Sequence, residues 1–138
     1  MSAEVATGST ATSSMLVDES VVCAFSKVSR DENPVHLDQA YAARSRFGRR
    51  VAHGMLSAAL VSAVIGNELP GPGTIYLSQT LNFRAPVYLG NTITATVKVV
   101  EALADNRYRL ATCVVRDDGR VILDGEALVL FESPGPQK

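Results

Sequence analysis

The stretch S-R-D-E-N-P-V-H-L-D, residues 29–38, sets a carboxylate and an imidazole five positions apart, Asp31 and His36. Two such groups brought to one water molecule can hold it and take its proton. Residues five apart on an extended chain face opposite ways, so the chemistry requires a bend. Asn33-Pro34 predicts one, because proline pushes the preceding residue out of the helical region and Asn-Pro initiates turns. The spacing alone fits a plainer arrangement as well, with Asp31 capping a turn and His36 a loop histidine making one hydrogen bond.

The elements that must position these groups come from a chain of 138 residues, a length for one domain that buries roughly two-thirds of its unfolded surface. An apolar fraction of 46% and a charged fraction of 20% belong to an ordinary globular protein. A net charge of -1 leaves no electrostatic footprint for nucleic acid or an anionic membrane. The two cysteines, Cys23 and Cys113, lack metal-ligand spacing and read as reduced, buried thiols. No segment has the length and apolarity of a membrane span, and the opening residues do not read as a secretory signal, so a cytoplasmic protein is expected. One domain over residues 1–138 is expected, with 1–10 and 133–138 frayed and a first strand near Thr12 to Val17.

Asp18 is a plausible N-cap for a helix in which Val21, Val22, Phe25 and Val28 form an apolar face. After His36, L-D-Q-A-Y-A-A-R predicts a short second helix. Residues 53–69 are apolar on nearly every helical face, the pattern of a helix buried on most sides, and Leu-Pro-Gly-Pro-Gly ends it. The remainder alternates as strands: Ile75, Leu77, Leu81 and Phe83 on one side of the first, and Ile93, Ala95, Val97 and Val99 on one side of another. Turns are predicted at Leu89-Gly90-Asn91, Asp105-Asn106 and Asp117-Asp118-Gly119-Arg120. Helices followed by strands give an α+β class. Wrapping an antiparallel sheet around the apolar helix buries all of its faces, which is the hotdog fold.

As one pattern the chain resembles the (R)-specific enoyl-CoA hydratases of the MaoC-like family. The matching residues are Phe25, Val28, Ser29, Asp31, Asn33, Pro34, Val35 and His36, with Ala42 beyond. The likeness continues in V-A-H-G-M-L (51–56), Gly73, Ile75 and Tyr76, Asn82-Phe83 and A-P-V-Y-L-G (85–90). Arg30 departs from the family's usual glycine, and Asn91 stands where aspartate is common.

The resemblance implies reversible syn addition of water to a trans-2-enoyl-CoA, giving a (3R)-3-hydroxyacyl-CoA. Asp31 and His36 would activate the water. Asp31 is preferred as the base and His36 as water holder and proton donor, though the residues alone leave that division open. Gly54, at the start of the apolar helix, would give its N–H to the thioester oxyanion. Ser62 and Ile65 would bound the acyl chain, and Asn33 would orient the loop or touch the water. His53 reads as a structural residue at the helix start. Arg44, Arg46, Arg49 and Arg50, with Arg84, are candidates for coenzyme A phosphates, against the plainer reading of a solvated basic face. The implied partners are an acyl-CoA thioester and a second copy in a homodimer, with no nucleic acid, membrane, metal or cofactor. The rivals are a hotdog thioesterase, a carrier-protein dehydratase and a non-catalytic acyl-thioester binding subunit.

Overall fold

Residues 5–132 are described in a computed structural model of the protein, so the expectations for 1–4 and 133–138 lie outside the described residues. The order is β1 (Thr10–Leu16), α1 (Glu19–Ser29), α2 (Pro34–Leu37), α3 (Gln39–Ala43), α4 (Gly54–Asn67), β2 (Thr74–Gln79), β3 (Asn82–Phe83), β4 (Thr92–Ala102), β5 (Arg107–Arg116) and β6 (Val121–Phe131). All pairings are antiparallel in one six-stranded sheet of order β1-β4-β5-β6-β2, with β3 also on β6. The architecture is α+β, the hotdog arrangement. Fraying does not extend to residue 10: Gly8 N–H donates to Val99 O at 2.8 Å, and Val99 N–H to Ser9 O at 3.0 Å. Backbone groups that have a strand beside them pair with it.

Helix α4 lies against the sheet, and its Leu56, Leu60, Val64 and Ile65 share one buried cluster with Ile93, Ala95, Val97 and Val99 of β4. Val61, Val64 and Ile65 each lower helix propensity by about 0.5 kcal/mol. Burying each contributes roughly 1.5–3 kcal/mol, so packing holds this segment helical against its local preference. The helix is not enclosed all round, however. Met55, Ala59, Ser62 and Gly66 form an open stripe at helical spacing.

Three further expectations change. The predicted alternation of Ile75, Leu77, Leu81 and Phe83 is broken by a register shift between Tyr76 and Ser78, and Ile75, Leu77 and Phe83 are exposed. On α1 the buried positions are Val22 and Ser26, whereas Val28 is 80% exposed. Both cysteines are free and half-buried rather than buried, with Cys23 Sγ–H donating to Glu19 Oε1 at 3.4 Å. Asn91 serves its turn as aspartate would, its Oδ1 accepting from Tyr88 N–H at 2.9 Å, and its Nδ2 also donates to Asp117.

Asp18 caps α1 as expected, accepting from Val21 N–H at 3.0 Å. The other end is set by Arg30, which is left-handed at φ 68° and donates its N–H to Ser26 O. A helix ends this way most readily with glycine, because a Cβ is unfavourable in that region. The residue that departs from the family pattern therefore occupies a backbone position suited to glycine. Arg30→Gly is expected to raise unfolding stability by about 1 kcal/mol. Equal or lower urea midpoints for the variant would contradict this account of the cap.

Candidate active site

The bend expected at Asn33-Pro34 is present and continues into a helix. Asn33 Oδ1 caps α2 by accepting from Val35 N–H at 3.2 Å, and Pro34 takes the first helical position. Proline suits that position because its missing N–H would be unpaired there anyway. Asp31 is held in turn: its N–H donates to Ser29 Oγ, and its Oδ1 accepts from Asn33 N–H at 3.1 Å. Asn33 thus acts in the loop's own hydrogen bonding. One turn of helix then brings His36 back, so that side-chain atoms of Asp31, His36 and His53 lie within 4.8 Å of one another.

His36 is buried at 9% exposure while Asp31 faces solvent. The His36 Nδ1 atom is 2.7 Å from Val51 O. A carbonyl only accepts, so Nδ1 carries the proton and Nε2 of the neutral ring is a bare acceptor. Burial pushes the His36 pKa below its ordinary 6.5, against the bond to Val51, with His53 lowering it further and Asp31 raising it. The neutral ring is therefore favoured.

His53 is 2% exposed, and its ring stacks on His36 with centroids 3.9 Å apart. Its Nε2 lies 3.0 Å from both Ser26 Oγ and Asp31 O. Since Asp31 O accepts, Nε2 carries hydrogen, and His53 ties α1 and the Asp31 loop to the start of α4. This geometry favours the structural role expected for His53.

Gly54 heads α4, where first-turn amides lack an intrahelical partner and the helix dipole is positive. A Cβ there would meet Phe83 Cε1 at 2.8 Å. Beside it, a cavity of about 490 Å³ is lined by Phe25, by Met55, Ala59 and Ser62 of α4, and by Tyr76, Leu77 and Gln79 of β2. Phe25 also lies edge-on to His53 at 4.9 Å, which puts the cavity next to the imidazoles. Ser62 is on the cavity wall as expected. Ile65 is not: at 1% exposure it packs in the core, because it falls on the sheet-facing side of α4.

The arginine cluster divides. Arg49 stacks on Tyr88, its Cζ 4.0 Å from the ring centroid, and Arg44 lies over Tyr41 at 5.9 Å. Arg84 is paired with Asp124. Arg50 turns inward, with Nε donating to His36 O at 2.7 Å and Nη1 paired with Glu19, so it belongs neither to a solvated face nor to a phosphate site. Sequence reasoning missed Ser26, Val51 and Arg50 as partners of the histidines. All three act through contacts across the fold, and two of those contacts use a backbone oxygen, for which residue type carries no signal.

Residues 3–119 match the family model described as "MaoC like domain", and the chain belongs to that family. A 3-hydroxybutyryl-CoA dehydratase of Methylorubrum extorquens is 51% identical over 82% of this chain and 72% of its own. An (R)-specific enoyl-CoA hydratase of Rhodospirillum rubrum is 41% identical over 96% and 92%. Among solved structures, unliganded R-hydratase PhaJ1 of Pseudomonas aeruginosa superposes with a TM-score of 0.89 at 44% identity, covering 98% of this chain and 94% of that one. The chain is a hydro-lyase of the MaoC-like family.

Because the folded pKa of His36 is depressed, its contribution to stability is fully present above about 6.5, the unfolded value, and is lost as pH falls through the lower folded value. Denaturant midpoints at pH 7 and pH 5 are expected to differ more for the wild type than for His36→Gln. Equal differences would remove His36 from the acid sensitivity.

Proposed function

We propose that the protein is an (R)-specific enoyl-CoA hydratase, adding water reversibly and syn across a trans-2-enoyl-CoA to give the (3R)-3-hydroxyacyl-CoA. The observation that carries this reading is the meeting of Asp31 with the bare Nε2 of His36, beside the N-terminus of α4 and an apolar cavity. A water that donates one hydrogen to the Asp31 carboxylate and one to Nε2 turns a lone pair toward C3 of the substrate. As the O–C3 bond forms, the π electrons of the double bond move to C2 and charge spreads onto the thioester oxygen. The Gly54 N–H donates to that oxygen where its charge develops.

One proton leaves the water and is returned at C2, and the other stays on the new hydroxyl. Every atom of the water ends in the product, so the reaction needs no redox group. Asp31 is the preferred base. His36 holds the water and, with Nδ1 committed to Val51 and Nε2 bare, donates at C2 only after the single proton taken up by Asp31 has passed to Nε2. The acyl chain lies in the cavity beside Ser62. Dehydration of a 3-hydroxyacyl thioester, the activity named for the Methylorubrum extorquens relative, uses the same groups in reverse.

A homodimer is part of the reading. Its support is β2, a strand at the sheet edge whose Ile75, Tyr76 and Leu77 are exposed, close to the open stripe of α4. Unpaired apolar edges call for cover. Light scattering is expected to give twice the chain mass at micromolar concentration, and a monomer mass would end this part of the proposal.

The activity test is hydration of crotonyl-CoA and longer enoyl-CoAs with the product configuration determined. Asp31→Asn and His36→Gln are each expected to lower turnover at least about a hundredfold. Gly54→Pro removes the amide hydrogen at a position where helices accept proline, whereas Gly54→Ala keeps it while adding a Cβ against Phe83. The proline variant should therefore turn over roughly a hundredfold more slowly than the alanine variant. Near-normal turnover in both dyad variants, or an (S) product, would sink the reading.

A further inference from the structure

Arg50 carries one of the few nearly enclosed cationic side chains of the described residues, and the reaction sequence above leaves it without a task. Its side chain is 14% exposed, and its Nη2 is buried with no partner among the described residues. The other guanidinium nitrogens are committed in two directions. Nε donates to the main-chain oxygen of His36 at 2.7 Å, and Nη1 pairs with Glu19 Oε2 in the first turn of α1 at 2.5 Å. The backbone N–H of Arg50 points to Gln39 Oε1 at 3.4 Å.

The neighbouring residue completes the grip. Val51 N–H donates to Val35 O at 3.3 Å, and Val51 O accepts from His36 Nδ1. Residues 50 and 51 therefore hold residues 35 and 36 at three points, two on the main chain and one on the ring. The Val51 bond alone would leave the imidazole on a single pivot. A charge-assisted bond from a planar, pre-organised fork fixes the carbonyl end of the same residue. Glu19 holds the far side of that fork, so α1 and α2 share the constraint.

We propose that Arg50 is a positioning residue that fixes the main chain of His36 so that the ring keeps its Nδ1–Val51 bond, and with it the tautomer that presents Nε2 rather than Nδ1 to the reacting water. Arg50 touches neither substrate nor water in this role; it acts through the main chain of His36. The rate consequence rests on the hydratase reading, and the tautomer consequence does not.

The test compares wild type with Arg50→Lys, which keeps the cation for Glu19 but loses the fork. Nitrogen-15 NMR of histidine-labelled full-length protein reads the tautomer, and steady-state kinetics on crotonyl-CoA reads the rate. Wild-type His36 is expected to show a protonated Nδ1 and a bare Nε2, whereas the lysine variant shows both nitrogens shifted toward a mixture. Its kcat should fall roughly ten- to a hundredfold, as for a small misplacement of a catalytic group, while KM stays close to wild type. A lysine variant with the wild-type tautomer and unchanged kcat overturns the proposal. If thermal unfolding shows that this variant does not fold, Glu19→Gln, which releases only the outer anchor, is judged by the same two outcomes. Absence of hydratase activity in the wild type would refute the activity reading, while the nitrogen shifts would still decide the role of Arg50.

Discussion

The hydrogen bond from His36 Nδ1 to Val51 O is the contact on which the site depends. It joins a loop, whose shape comes from local turn chemistry, to the segment that leads into the core helix. A buried imidazole without that acceptor would be left with an unmet donor, a loss of about 1–3 kcal/mol. With it, one nitrogen is spoken for and the other is free to work. Desolvation then keeps the ring neutral, so burial supports the chemistry as well as the packing.

The second histidine extends the same constraint in the opposite direction. His53 reaches Ser26 on α1 and the main chain of Asp31, while its ring lies flat on His36. Carboxylate and imidazole are thus positioned by neighbouring protein groups. The exposed carboxylate is held through its backbone and by Asn33 N–H, and the buried imidazole through its ring nitrogen. This division suits a group that must meet water and another that must keep a fixed tautomer.

Much of this was legible in the residues themselves. Asp18 announced a helix start because capping is local, and alternation in β4 exposed its buried row because strand period is local, whereas Asn33 read only as a bend and the helix it caps went unforeseen. The Asp31 loop was legible as a bend, and the family pattern supplied its partners. What escaped was set by tertiary contact. Ile65 reads like any apolar helix residue until the sheet shows which side of α4 it covers. The register shift at Tyr76/Ser78 has no composition signal, so the sidedness of β2 was misread. Arg50 sits among three other arginines as if solvated, and only the fold turns it inward.

Helix α4 does two jobs on two sides. Its sheet-facing side carries Leu60, Val64 and Ile65 in the core, and its open stripe carries Met55, Ala59 and Ser62 along the cavity. The two sets share a backbone but few neighbours, and changes at separate, non-contacting sites combine nearly independently. Residues on the stripe are therefore free to drift between small and large, or between apolar and polar, with little penalty to the fold. Under the proposed function, such a helix lets a lineage of these proteins diversify the acyl groups it accepts while inheriting the same scaffold and the same water-holding pair.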